Sequence, residues 1–336
     1  MPDHTTVQYG FNLVFIALAG FAVLRAIYGC HHSVTVDRFK TFLLLFVYYG
    51  LYLLVPFFSW VLWQWSIGRQ NAWEAVPLLL LSLFLLYARF IEPVVLTVRH
   101  TPVTLNQEVA LRQPLKVALL ADLHVGLFSG RTRQLKKIVD LVNAEHPDFI
   151  VFSGDWTYEP NDHLKRDLNV LSGFIAPAYS VPGNHDEQIP GPPVQHLLSE
   201  ALQAANITCI EGKIVELEEV RLIGSGDLWA GKADMQVMLE LPQDKPWIVV
   251  AHNPDTVAQV PPLPGRPLML SGHTHGGQLE LPWLTNYVLK RTSLLGFKKG
   301  LYQTENAQVY VTVGTGLVGV PLRFRAPPTI DILHIH

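Results

Sequence analysis

The chain is 336 residues long, and 25 Lys+Arg against 28 Asp+Glu leave a formal net charge of −3. That balance gives no electrostatic footprint for nucleic acid. Only 16% of residues are charged and 49% are hydrophobic; soluble domains carry about 25% charged residues, so the composition argues against a purely soluble protein.

The charge deficit is local. Residues 1–98 hold nine charged side chains (Asp3, Arg25, Asp37, Arg38, Lys40, Arg69, Glu74, Arg89 and Glu92). The chain therefore reads as a membrane-like region, residues 1–98, followed by a globular region, residues 99–336. Three apolar stretches fill the first part: about Gly10 to Tyr28, Thr41 to about Trp65, and Ala72 to Ile91. Each approaches the roughly 20 apolar residues that a spanning helix needs, and Pro56 and Pro77 are tolerable in such helices. Asn12, Arg25, Glu74 and Arg89 lie near span ends, where long side chains can reach the headgroups. The second stretch can end near Ser59, leaving its Trp-rich remainder in the interface. A cleaved signal peptide would explain the first stretch alone, but its start has no positive n-region and no small-residue cleavage site follows. Three spans are expected, with two or four as alternatives.

With three spans, the first loop and the globular region share one side of the membrane, marked by Arg25, Arg38, Lys40, Arg89 and Arg99. Only Arg69 marks the other. The positive-inside bias then puts the N-terminus outside and the globular region in the cytoplasm. Trp60, Trp63, Trp65 and Trp73 gather as an outer aromatic belt would.

From about Arg99 the pattern changes to short apolar runs: Val117–Ala121, Phe149–Phe152, Ala178–Val181, Trp247–Ala251 and Pro267–Leu270. These read as buried strands. Arg131–Glu145, with Leu135, Ile138, Val139 and Val142 at helical spacing, and Gln195–Ala205 read as helices. Strand alternating with helix predicts an α/β sheet fold. The two cysteines, Cys30 and Cys209, offer neither a disulfide framework nor a metal knuckle.

A compact polar block follows each of the five strands: Asp122-Leu123-His124, Gly154-Asp155, Gly183-Asn184-His185-Asp186, His252-Asn253 and Gly272-His273-Thr274-His275. Ligand sites in α/β sheets lie outside the carboxyl ends of strands, so the five blocks can converge on one point. Carboxylate, amide and imidazole donors without thiolate suit Mn²⁺, Fe or Zn²⁺. Two Asp, one Asn and four His exceed what one metal needs and suit a pair about 3.5–4 Å apart. Glycines beside these donors allow sharp turns and close approach. The remaining histidines (His4, His31, His32, His100, His146, His163, His196, His334 and His336) read as solvated or packing residues without partners.

In these blocks the sequence resembles the calcineurin-like, binuclear metallophosphoesterase superfamily over roughly residues 115–330. Leu270 to Gln278 and Pro321-Leu322-Arg323-Phe324 are similar to its bacterial membrane-associated branch, which includes UDP-2,3-diacylglucosamine pyrophosphohydrolases of lipid A synthesis. The resemblance implies a β-sandwich flanked by helices and preceded here by a transmembrane helix bundle. It assigns Asp122, His124 and His275 to one metal and Asn184, His252 and His273 to a second, with Asp155 bridging. His185 would face the substrate and assist the leaving oxygen. The family's G-D-x-x-D pattern has Tyr158 at its last position here, so Glu159 or Asp186 would have to support His185.

The implied cofactor is two divalent ions, Mn²⁺ first, and the implied reaction is hydrolysis of a phosphoester or phosphoanhydride. The expected setting is a bacterial inner membrane, with a phospholipid or lipid-linked phosphate as substrate. A general membrane-tethered phosphodiesterase and a metal-binding pseudoenzyme are the alternatives. Asp227, in Gly226-Asp227-Leu228-Trp229, is either a substrate contact or a turn residue. Residues 281–301 combine apolar side chains with Lys290-Arg291 and Lys298-Lys299, as a segment that draws substrate from a lipid surface would.

Overall fold

A computed structural model describes residues 4–35, 37–129, 132–187 and 194–336. Its N-terminal third contains three helices long and apolar enough to cross a membrane: His4–His32, Arg38–Ser66 and Ala72–Val94. At 1.5 Å per residue they measure about 43, 43 and 35 Å, against a hydrocarbon core of about 30 Å. Their ends therefore have length to spare for the headgroup layer. Asp37 and Asn71 cap the second and third, accepting from the amides of Lys40 (2.8 Å) and Glu74 (3.0 Å). The Trp-rich stretch stays helical through Ser66 instead of ending near Ser59. Gln8 of the first helix accepts from Trp60 (3.2 Å) and Gln64 (3.0 Å), which holds that end of the second helix in the bundle.

Two side chains expected to reach headgroups do something else. Arg25 donates to the Tyr49 hydroxyl (3.1 Å), joining the first two helices. Arg89 is buried, its guanidinium stacked 3.9 Å above the Tyr48 ring.

The rest of the chain forms two six-stranded sheets. One has the order Thr97–Val103, Thr329–Ile335, Leu115–Leu120, Phe149–Ser153, Ala178–Val181, Ile207–Cys209. The other runs Gly300–Gln303, Gln308–Val311, Leu268–Ser271, Trp247–Val250, Arg221–Gly224, Ile214–Glu216. The four strands Leu115–Leu120 to Ile207–Cys209 pair parallel, as do the four central strands of the second sheet. Parallel strands covered on both faces need apolar residues at every position, which explains the unbroken runs in the sequence.

Alternation divides each strand between two cores. Val117, Leu119 and Val151 face Ile248, Val250, Leu268 and Leu270 between the sheets. Ala118, Leu120, Ile150 and Phe152 face outward under the helices Thr132–Glu145 and Gln195–Ala204. Arg131, the expected start of the first of these helices, lies outside the described residues. The second sheet covers its outer face with Met235, Met238, Val257, Val260 and Phe297.

A polar link crosses the apolar layer. Asp331, fully buried in the first sheet, accepts from the Tyr310 hydroxyl (2.8 Å) of the second sheet and from Thr312 (2.5 Å). Removing one donor leaves a buried carboxylate short of a partner, so Tyr310→Phe is expected to destabilise the fold by about 1–3 kcal/mol. Thermal melting in detergent checks this, and an unchanged Tm would mean that the link contributes nothing.

Candidate metal centre

The central strands of both sheets end on the same side, and the loops that leave them turn inward at once. Five donor residues take left-handed backbone to do so: Asp122, His124, Asp155, His273 and His275, with φ between 47° and 70°. Such conformations cost of order 1–3 kcal/mol each and persist where surrounding structure fixes them. Neighbouring glycines make the room. A Cβ on Gly183 would sit 2.2 Å from Asp155 Oδ1, and one on Gly272 would sit 2.6 Å from Asp122 Oδ2.

Two trios result, Asp122–His124–His275 and Asp155–His252–His273, each with its ligand atoms within 4.8 Å of one another and each buried. Asp155 Oδ2 lies 3.2 Å from His252 Nε2 and 3.5 Å from His124 Nε2, so one oxygen reaches both trios. Asn184 adds its amide oxygen 3.2 Å from His252 Nε2. All seven residues that the sequence singled out as metal donors therefore meet in one place.

Backbone carbonyls set the imidazole tautomers. His252 Nδ1 faces the Ser153 carbonyl (2.8 Å), His124 Nδ1 that of Thr157 (3.3 Å), and His273 Nε2 that of Thr292 (3.0 Å). A carbonyl can only accept, so each of these nitrogens carries the proton and the other presents a lone pair to the cluster. The cluster-facing nitrogens crowd: His124 Nε2 is 2.9 Å from His275 Nε2, and His273 Nδ1 is 3.1 Å from His252 Nε2. Lone pairs at that spacing need a shared proton or cation between them.

The electrostatics agree. Burial drives His124 and His273 down to about 3 and holds His275 well below its usual range, so all three are neutral ligands. Burial opposes a charge on His252 as well, yet Asp155, Asp122 and Asp227 raise it to about 10, so without a cation in the cluster its Nε2 takes up a proton in place of one. Burial also pushes Asp122 up to about 8. Two buried carboxylates and several neutral imidazoles make a pocket that calls for positive charge. The donor set fits two divalent cations.

His185 stands at the edge of the cluster, half-buried. Its ring packs edge-on against Tyr158 and His124, both at 5.1 Å between centroids. Neither carboxylate suggested by the sequence supports that ring. Asp186 accepts from the amides of Trp156, Thr157 and Gly183 and so clamps the loop backbone. Glu159 pairs with Lys40 of the second apolar helix (3.2 Å). Tyr158 supports His185 by ring contact instead.

Asp227 is buried and proves to be a turn residue, its Oδ2 accepting from the Ala230 amide (2.8 Å), while its Oδ1 has no hydrogen-bond partner. Lys290 and Arg291 are exposed on the helix Pro282–Thr292, and no hydrogen bond or ion pair joins them to the cluster. Lys298 and Lys299 both pair with Glu280 (2.6 and 2.9 Å), which occupies the charge expected to attract headgroups. Among the other histidines, His100 has partners after all: His334 at 3.0 Å and Glu145 at 3.5 Å.

Sequence reasoning missed the role of Arg323. Its side chain is fully buried, donates to the carbonyls of Gly316 (2.6 Å) and Ala326 (2.6 Å), and approaches His275 Nδ1 at 3.4 Å. Burial pulls it down to about 10, which leaves it cationic. The Pro-Leu-Arg-Phe run was visible, but nothing in it indicated what the arginine touches.

The model of the calcineurin-like phosphoesterase family matches residues 115–277. A Helicobacter pylori protein described as an uncharacterized metallophosphoesterase is 31% identical over 71% of this chain and 63% of its own length. The chain thus spans less than two thirds of that relative. Phosphodiesterase YaeI of Escherichia coli is 32% identical, over 66% of this chain and 82% of its own. UDP-2,3-diacylglucosamine pyrophosphatase LpxG of Chlamydia muridarum is 27% identical, over 74% and 92%.

Because Asp155 alone reaches both trios, Asp155→Ala is expected to lose metal more completely than any single histidine variant, whereas His185→Ala should keep a full complement. Elemental analysis of the purified variants decides it. Full metal content in Asp155→Ala, or loss in His185→Ala, would overturn the roles assigned.

Proposed function

We propose that this chain, which belongs to the calcineurin-like phosphoesterase family, is a membrane-anchored binuclear-metal hydrolase acting on a lipid-linked phosphoester or pyrophosphate. The observation that carries the reading is the meeting of two buried ligand trios at strand ends whose loops touch membrane-length helices, Tyr48 packing with Tyr158 and Lys40 pairing with Glu159. Residues 1–98 serve as the anchor and residues 99–336 carry the chemistry. Asp122, His124 and His275 hold one ion, Asn184, His252 and His273 the other, and Asp155 is shared. The oxygen and imidazole donors suit Mn²⁺, with Fe or Zn²⁺ as alternatives. When bound, such a pair polarises a phosphoryl oxygen and supplies activated water.

The chain's own groups do the rest. The carbonyls of Ser153, Thr157 and Thr292 hold three imidazoles in the ligating tautomer. Burial lowers His185, so it is neutral near pH 7 and retains one N–H to donate to the leaving oxygen. Tyr158 and His124 fix the plane of that ring.

Support for a lipid-linked substrate comes from the segment after the Gly-His-Thr-His block. Trp283 is 90% and Leu294 88% exposed, and Leu284, Tyr287 and Leu295 are exposed beside them. Lys290 and Arg291 supply the basic charges there. The same segment provides the Thr292 carbonyl that orients His273, so it is both a lipid-facing edge and a wall of the site. UDP-2,3-diacylglucosamine is the first substrate to try, because the name of the Chlamydia relative specifies it. The name of the Escherichia coli relative favours a second reading, a phosphodiesterase of broader range tethered to the membrane.

A triple variant, Trp283→Ala with Leu294→Ser and Leu295→Ser, separates the two. Near-normal hydrolysis of a small soluble phosphodiester and a strong loss on a diacylated substrate are expected. Equal retention on both would remove the lipid-engaging role. We further propose a bacterial inner membrane as the setting, with the site on the cytoplasmic side, an orientation that the positive-inside bias supports. A C-terminal reporter should therefore behave as cytoplasmic, and a periplasmic result would reverse the orientation.

A further inference from the structure

A cavity of about 540 Å³ opens between the apolar helices and the helix Thr132–Glu145. Its volume lies within the roughly 300–1,000 Å³ of small-molecule sites. One wall is apolar, built from Tyr48, Tyr52, Phe90 and Phe128 and continued by Pro93, Val94 and Leu96. The polar wall carries Arg89, Arg133 and Lys137, and among the described residues no carboxylate lines the cavity.

Arg89 is the informative residue. It is 7% exposed, and among the described residues its Nε and Nη2 have no hydrogen-bond partner. The guanidinium lies against the Tyr48 and Phe90 rings, at 3.9 and 4.8 Å from their centroids. Ring faces stabilise the charge but cannot accept its in-plane N–H groups. A buried guanidinium with idle donors is costly unless an anion meets it.

The opposite side supplies matching charge. Arg133 and Lys137 stand four residues apart and hence on one face, in the first turns of a 14-residue helix. That end of a helix carries partial positive charge. Among the described residues neither has an ion-pair partner.

We infer that this cavity binds the phosphate headgroup of an anionic glycerophospholipid at a site separate from the metal centre. Guanidinium and ammonium groups with free donors suit phosphate oxygens. The apolar wall selects a lipid over a free phosphate, which gains nothing from aromatic and aliphatic neighbours. Val94 lines the cavity, is 65% exposed and ends a helix long enough to cross a membrane, which offers acyl chains an apolar neighbour. The inference does not depend on which bond the metal centre cleaves.

Native mass spectrometry of the full chain in dodecyl maltoside tests it. The probes are palmitoyl-oleoyl phosphatidylglycerol, phosphatidylcholine with the same chains, and inorganic phosphate. One phosphatidylglycerol should be retained per chain, at least about tenfold more tightly than phosphatidylcholine. Arg133→Glu with Lys137→Glu, both exposed and expected to leave the melting temperature unchanged, should weaken it at least about tenfold, as loss of charge-assisted bonds would. Arg89→Gln should weaken it likewise, and the double variant keeps the test decisive if Arg89→Gln fails to fold. Unchanged affinity in the double variant, or equal retention of the two lipids, would overturn the site. Displacement of the lipid by inorganic phosphate at equal concentration would overturn the lipid assignment.

Discussion

The structure depends on aiming lone pairs of like character at one small volume. Imidazole nitrogens about 3 Å apart, next to two buried carboxylates, repel or compete unless positive charge lies among them. Everything nearby serves to hold that arrangement. Five donors adopt left-handed backbone, glycines remove the Cβ atoms that would collide with carboxylates, and three main-chain carbonyls lock the ring tautomers. A fold tolerates this much local cost only where the scaffold is rigid, and two sheets buried on both faces provide that rigidity.

The split of labour between the sheets follows from the same need. The first contributes Asp122, His124, Asp155 and Asn184 through loops after three parallel strands; the second contributes His252, His273 and His275 after two. Each trio draws on both sheets. The centre therefore pins the sheets at one end, while Asp331 and Tyr310 join them within the core. Sheet packing and ligand geometry are one constraint seen from two sides.

Much of this was legible in the sequence because it is local. Unbroken apolar runs marked the parallel strands, and each polar block stood within a few residues of its strand end. The three long helices announced themselves by hydropathy, although their ends ran further than the apolar count suggested. What stayed hidden was non-local. The strands Thr97–Val103 and Thr329–Ile335 pair with each other across more than two hundred residues, and the second of them also pairs with Leu115–Leu120. Main-chain carbonyls that orient histidines have no residue signature. Arg89 looked like a headgroup-reaching arginine because a sequence shows its position near a helix end and not the Tyr48 ring beneath it.

The join between the third apolar helix and the C-terminal loop has a mechanical meaning. The Ala88 carbonyl accepts from the Arg323 amide (2.9 Å), and the buried Glu92 carboxylate accepts from the Ala326 amide (2.7 Å). Between those two anchor points the Arg323 side chain lies beneath His275. A cut after residue 98 would strip both amides of their acceptors and loosen the floor under a metal-facing imidazole. The helix is thus a structural strut of the ligand cluster, and a change in its tilt would reach the His275 ring through the two hydrogen bonds that Arg323 makes.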